Sequence, residues 1–382
     1  MVRGMRTARG GVVVGLCVMT VLLAAGIKVN AQVSDIALLV GNPDIANRGD
    51  FMQEAMNGAV YGCGGNSDDV SMLLAENPRY FNGTLCDVTF YFLNDVVQGG
   101  TSDCSNACVV EQAVAAGHDL IIGVAFGYGA PIQAAAAANP DMAFGIIDFQ
   151  VPEPNVESFT WREDQMGFLS GVVAGEVAKN LGITKIGAVG GPPIPPVKKF
   201  ISGYVVGLRD TCPECEIFEV FSQSFGDAAE GESHADLLLE QGVGIAACGG
   251  GFTGSMACKK LAANGVYVIG VDVDEYYTTF EAGAAEGSAF LLTSALKSTS
   301  KAVQFAIECF LFNFQDCVGK NNLLDASNGG IEMGPCNEAC DVYDEVIKVQ
   351  VDDLYVALGD LAISTNVDAL GNIIQQNVTV LP

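Results

Sequence analysis

Short, continuously apolar runs alternate with helix-length stretches along this chain, and that alternation constrains its fold more than any other feature of the sequence. The strand candidates are Ile36 to Val40, Val88 to Leu93, Asp119 to Val124, Ala143 to Asp148, Lys185 to Val189, Ile217 to Phe221, Val243 to Cys248, Val266 to Asp272 and Val346 to Val351. Several lack the polar–apolar alternation of a half-exposed strand, so they predict parallel strands buried on both faces. Helices are expected over Phe51 to Tyr61, Pro131 to Ala138, Glu163 to Asn180, Val197 to Arg209, Asp227 to Glu240, Gly254 to Asn264 and Gly287 to Phe310. The predicted class is α/β, doubly wound, with right-handed crossovers. The series runs over residues 33–148 and restarts over 183–272, with the proline-bearing loop Phe149-Gln150-Val151-Pro152-Glu153-Pro154-Asn155 between them as an interdomain crossing. Two such lobes set their binding loops at the carboxyl ends of the strands, where they face each other across a cleft.

Composition narrows the functions open to such a chain. Half of its 382 residues are apolar and only 16% are charged, which excludes a disordered chain. The 18 Lys and Arg against 45 Asp and Glu, a net charge of −27, supply no basic field for nucleic acid or an anionic membrane surface. Arg3, Arg6 and Arg9 precede an apolar run from Gly11 to Ile27, and Val29-Asn30-Ala31 reads as a cleavage site, so residues 1–31 are expected to be a signal peptide and the mature chain secreted. Left uncleaved, the same segment would act as a membrane anchor. Cleavage removes Arg3, Arg6, Arg9, Lys28 and Cys17 but no acid, which takes the charge from −27 to −31 and the cysteines from 13 to 12.

Those cysteines fall in close pairs: Cys63 and Cys86, Cys104 and Cys108, Cys212 and Cys215, Cys248 and Cys258, Cys309 and Cys317, Cys336 and Cys340. Spacing leaves their connectivity open, but loop disulfides are the usual use of cysteine in an exported chain. Cys212-Pro213-Glu214-Cys215 has no second CxxC to make a zinc knuckle with, and no metal or cofactor is expected. Asn82-Gly83-Thr84 and Asn377-Val378-Thr379 are glycosylation sequons, consistent with a secretory route.

Polar and glycine-rich features gather at predicted strand ends. The first half offers Phe126-Gly127-Tyr128-Gly129 and Asp148; the second offers Gly249-Gly250-Gly251-Phe252-Thr253-Gly254 and then Asp272 and Asp274. Gly249, Gly251 and Gly254 also satisfy the dinucleotide pattern G-x-G-x-x-G, with an acid at the ribose-binding distance. Its place in the middle of an exported chain argues against a nicotinamide enzyme. A hydrolase on the same cleft is a second alternative, yet His118 and His234 lie far in sequence from these strand ends. A third alternative is a sensory or cell-surface ectodomain with the signal segment retained as its anchor.

The stretches Ala143-Phe144-Gly145-Ile146-Ile147-Asp148, Trp161-Arg162-Glu163-Asp164-Gln165-Met166-Gly167-Phe168-Leu169-Ser170-Gly171, Val197-Lys198-Lys199-Phe200-Ile201-Ser202-Gly203-Tyr204 and Gly270-Val271-Asp272-Val273-Asp274, with Leu292-Thr293-Ser294-Ala295-Leu296-Lys297, resemble the basic membrane protein family. These are purine-nucleoside-receptor-like substrate-binding proteins of ABC importers. The resemblance runs over roughly residues 34 to 355 and implies the type I periplasmic-binding-protein fold, two lobes on a hinge that hold a purine nucleoside and perform no chemistry. Residues 33–150 with about 273–310 would form the first lobe, 151–272 with about 320–360 the second, and 361–382 a C-terminal tail. Position by position, the resemblance makes Phe51 and Phe200 the base-sandwiching aromatics, Asp272 the ribose-binding acid and Lys297, placed on the expected helix, its lysine. Gly251 would admit the sugar, and Asp148 and Phe126 would line the cleft from the first lobe. Arg48-Gly49-Asp50-Phe51-Met52-Gln53 departs from the family's D-K-S-F-N-Q, with Arg48 replacing the acid and Met52 the asparagine that contact the base; Asp44 or Asn47 could substitute. The expected ligand is a neutral small molecule, the implied partner a membrane permease or receptor, and the expected state a monomer.

Overall fold

The computed structural model describes residues 34–41, 51–76, 80–92 and 104–374. The signal segment, Asp44, Asn47, Arg48 and Asn377 lie outside the described residues. The first half runs β1 (Ser34–Val40), α1 (Phe51–Gly62), α2 (Ser67–Glu76), β2 (Tyr80–Asn82), β3 (Cys86–Phe92), α3 (Asn106–Ala116), β4 (Leu120–Val124), α4 (Gly129–Ala138), β5 (Ala143–Ile147) and β6 (Val156–Trp161). The second runs α5 (Glu163–Leu181), β7 (Lys185–Gly190), α6 (Pro195–Thr211), β8 (Glu216–Phe221), α7 (Ala228–Gln241), β9 (Ile245–Gly249), α8 (Gly251–Ala263), β10 (Tyr267–Asp272) and β11 (Leu291–Lys297). Then come α9 (Thr299–Cys317), β12 (Asn321–Leu324), β13 (Ile331–Met333) and α10 (Glu345–Gly359).

Two sheets form, in the orders β12-β6-β5-β4-β1-β3-β2 and β13-β11-β10-β9-β7-β8. Within each, all pairings are parallel except the edge strands β2 and β13, which run antiparallel to β3 and β11. The cores β3-β1-β4-β5-β6 and β8-β7-β9-β10-β11 repeat one doubly wound order, so each sheet has a switch point, β1/β4 and β7/β9. Continuously apolar runs do become fully buried strands, as in Leu120-Ile121-Ile122-Gly123-Val124.

Sheet membership corrects the expected lobe boundaries. Residues 156–161, assigned to the second lobe, form the strand of the first sheet next to β5, and 321–324 pair in parallel with them on the far side. Residues 291–297, assigned to the first lobe within a helix, are a strand of the second sheet, so Lys297 ends β11 and the helix begins at Thr299. Pairing explains this: the segment runs parallel to β10, with Ile269 to Asp272 opposite Thr293 to Leu296, and antiparallel to β13 on its other edge. The expected strand over Val346 to Val351 is instead the start of α10, where Asp344 caps the helix and Ile347, Val351, Leu354 and Leu358 bury a stripe of helical period. Nor is 361–374 a loose tail, since Thr365 is fully buried with its hydroxyl on Asp164, and Ser202 donates to Gly371 O at 2.6 Å.

The chain crosses between sheets at Trp161 to Glu163, at Lys297 to Thr299 and between β12 and β13. One carbonyl joins all three crossings: Gly330 O accepts from Trp161 Nε1 at 2.9 Å, Ser298 Oγ at 2.8 Å and Ser298 N at 3.0 Å. Beyond the first crossing, α5 and α6 touch backbone to backbone. A Cβ added at Gly167, Gly171, Gly203 or Gly207 would overlap a carbonyl of the facing helix.

The twelve described cysteines pair as Cys63–Cys86, Cys104–Cys108, Cys212–Cys215, Cys248–Cys258, Cys309–Cys317 and Cys336–Cys340. Among the described residues no helix is long and apolar enough to cross a membrane. Asn82 is exposed on the edge strand β2.

Candidate functional site

The carboxyl ends of both sheets meet around one cavity of about 570 Å³, and Phe51, Phe126, Asp148, Phe200, Gly251, Asp272 and Lys297 all line it. The first lobe contributes the end of β1 at Gly41, the start of α1 at Phe51 and Met52, the turn after β4 at Ala125 and Phe126, and Asp148 after β5. The second contributes Phe200 from α6, Gly249 and Gly251 around the end of β9, Asp272 from β10 and Lys297 from β11.

Backbone strain concentrates here. Ala125, Asp148 and Asp272 have φ of 76°, 69° and 71°, in the left-handed region that a side chain disfavours by about 1–3 kcal/mol. Each terminates a strand at the cavity wall, and such strain persists only where the surrounding structure over-determines it. The glycine run has a local reason: a Cβ on Gly249 would stand 2.6 Å from the Phe200 ring, and one on Gly251, at φ 56°, would stand 3.1 Å from Phe225 O. Its missing side chains thus seat this chain's own aromatics, which answers the dinucleotide reading of the same glycines.

Charge gathers beside the crossings. Lys297 Nζ, from the second sheet, lies 2.5 Å from Asp148 Oδ1 of the first and 3.3 Å from Glu163 Oε1 in the first turn of α5. Its ammonium also sits 4.8 Å from the Trp161 ring centre and 5.4 Å from that of Phe51. Lys199 closes on the other oxygen of Glu163 and donates to Trp161 O at 2.8 Å. Lys297 therefore answers to three acids at once: Asp148, Glu163 and Asp272 hold its ammonium far above the ordinary lysine range despite burial. The acids are under-compensated in turn. Burial pushes Asp148 up to about 6 against the pull of Lys297, with Glu163 and Asp272 adding to the rise, and burial likewise raises Asp272.

The sign of the pH effect follows. Between its ordinary value of 3.8 and about 6, Asp148 binds its proton in the folded state and not in the unfolded one. The penalty for holding it ionised is thus absent below the lower value and fully present above the upper. Asp148→Asn removes that term, so the stability of wild type minus that of the variant, from urea unfolding, is expected to fall as pH rises from about 4 to about 6. A flat or rising difference would contradict the assignment.

Sequence reasoning missed four groups here. Glu163 stood inside a quoted stretch without a role, although two adjacent acids opening an otherwise apolar helix were a visible signal. Phe225 reaches the cavity from a loop of no recognisable pattern. Phe252 and Met256 recur at helical spacing along α8, which a core stripe would also explain. The two histidines stand apart from this cavity's lining: in the first lobe His118 Nε2 shares a hydrogen bond with the Tyr91 hydroxyl while its Nδ1 lies 3.0 Å from Asp35 Oδ2, and His234 faces Glu230.

The chain matches a family of known proteins. The family model for "ABC transporter substrate-binding protein PnrA-like" matches residues 93–356. The ABC transporter nucleoside-binding protein BmpA of Lactococcus lactis subsp. cremoris is 30% identical over 247 residues, covering 62% of this chain and 69% of that protein. Basic membrane protein A of Borreliella burgdorferi is 30% identical over 204 residues, 52% of this chain and 56% of that one. In fold, the chain is similar to an ABC transporter solute-binding protein of Aeropyrum pernix K1, with a TM-score of 0.68 at 20% identity over 87% of this chain and 93% of that one. One from Conexibacter woesei gives 0.61 at 24% identity over 87% and 98%.

Proposed function

Because the chain belongs to the PnrA-like family of ABC transporter substrate-binding proteins, which bind solutes for transporters and are not enzymes, we propose that it closes its two lobes on a purine nucleoside. The observation that carries this reading is that Phe51 and Phe200, from opposite lobes, line one cavity with Asp272 and Lys297. Aromatic faces suit a flat base, each stacking contact adding about 1–3 kcal/mol. A carboxylate can accept from both hydroxyls of a cis-diol. Lys297 at the cleft floor is the donor that remains for the sugar.

Charge favours a ligand without phosphate. Asp148, Glu163, Asp272 and Glu281 line the cavity against Lys259 and Lys297, and both lysines are already paired. A dianion would be desolvated among carboxylates with no cation to spare. Secretion or surface display and delivery to a membrane permease complete the proposal, and the family and the nucleoside-binding relative support them; a monomeric state is proposed with them. Calorimetry with inosine, adenosine, guanosine and AMP tests it: at least one nucleoside is expected to bind, and AMP at least about tenfold more weakly than adenosine. Tight AMP binding, or no binding by any nucleoside, would sink this reading.

A further inference from the structure

The cleft is larger than the proposed ligand. A purine nucleoside occupies roughly 300 Å³ when packed as densely as a protein interior, whereas the cavity holds about 570 Å³. The lobes nonetheless already meet across it, through Lys297 and Asp148 on the floor and through Phe126 and Phe225, whose ring centres lie 6.0 Å apart, at the mouth. The surplus is therefore not the gap of two lobes standing apart.

The lining of the cavity changes character from floor to mouth. The buried charges, Asp148, Glu163 and Lys297, sit at the crossings. Towards the mouth the wall is Phe126 of the first lobe with Phe225, Phe252 and Met256 of the second. Phe252, Met256 and Lys259 share one face of α8 by their spacing. The charges on this rim, Lys259 and Glu281, bond each other at 2.9 Å and offer no net field to an ionic group. Phe126 is 39% exposed, tilted by 55° against Phe225 rather than stacked on it. A large aromatic left partly wet inside a concave site gains by being covered.

We propose that these four side chains form a second, apolar subsite at the cleft mouth, which takes an uncharged apolar substituent carried by the nucleoside. The inference rests on the nucleoside reading for the floor of the cleft, but the subsite itself rests on the rim.

The experiment titrates adenosine, N6-benzyladenosine and 5′-methylthioadenosine into wild type and Met256→Glu by calorimetry. Binding of N-phenyl-1-naphthylamine, an uncharged apolar fluorophore, is read alongside. At least one substituted nucleoside is expected to bind about tenfold more tightly than adenosine. Met256→Glu should remove that gain while changing adenosine affinity less than about twofold, because Met256 is not among the residues proposed to hold the base and ribose. The fluorophore should brighten with wild type, be displaced by the tighter nucleoside and be lost in the variant. Met256→Ser serves the same purpose if the glutamate variant folds poorly. Substituted nucleosides no tighter than adenosine, or a fluorophore bound alike by wild type and variant or by neither, overturn the subsite. If no nucleoside binds while the fluorophore does so and is lost in Met256→Glu, the nucleoside reading falls and the apolar subsite survives it.

Discussion

Lys297→Met is expected to destabilise the protein by about 3–5 kcal/mol, because removing one member of a buried ion pair leaves its partners uncompensated. Here the abandoned groups are Asp148 and Asp272, with Glu163 left to Lys199 alone, around a lysine that is only 7% exposed. Nucleoside affinity should fall about 100-fold in the same variant if the ammonium donates to the sugar, the loss expected for a hydrogen bond to a charged group. The two effects separate in the double variant Lys297→Met with Asp148→Asn. Neutralising the nearest acid should restore part of the stability, read by urea unfolding, and none of the affinity, read by calorimetry. Full stability in Lys297→Met would mean that the network does not hold the lobes together. Restored affinity in the double variant would mean that Lys297 only neutralises Asp148.

The second large effect lies away from the cleft. Gly171→Leu is expected to prevent α5 and α6 from docking, since even a Cβ there would overlap Tyr204 O and Leu208 N of the facing helix. Overpacking a core typically destabilises by about 1–3 kcal/mol, and a clash with backbone, which has no rotamer to escape into, belongs at or above the top of that range. Gly182→Ala is the control. That residue ends α5 at φ 70° with nothing within 4 Å of its would-be Cβ, so only the left-handed backbone resists and the loss should stay near about 1 kcal/mol. Because α6 carries Phe200 and Lys199, and α5 begins with Glu163, loss of this contact should also abolish ligand binding. Equal stabilities for the two variants, by thermal or urea unfolding, would refute the close approach.

Much of this was written locally. Buried parallel strands need unbroken apolar runs, and nearly all those runs became strands within a residue or two. Where the reading failed, a longer-range effect decided. Leu291 to Lys297 carries the composition of a helix as well as of a strand, and only pairing beside β10 settles it. The run Val346 to Val351 is as β-branched as any strand, yet its buried residues follow a period of 3.6 against α5. Lobe membership was the least legible, because two of the three crossings join elements whose sequence carries no mark of which sheet they enter.

The sequence by itself determined the class of fold and the identity of the strand-end residues, because the apolar period and the fixed carboxyl-end placement of loops are properties of a single strand and its turn. Only the tertiary structure decided that Lys297 of one sheet meets Asp148 of the other, that Glu163 and Lys199 brace it, and that Phe126, Phe225 and the α8 residues Phe252 and Met256 share the mouth of one cleft. Lys297 and Asp148 lie 149 positions apart, and chain distance says nothing about contact until three crossings, tied together at Gly330, bring the carboxyl ends of the two sheets together.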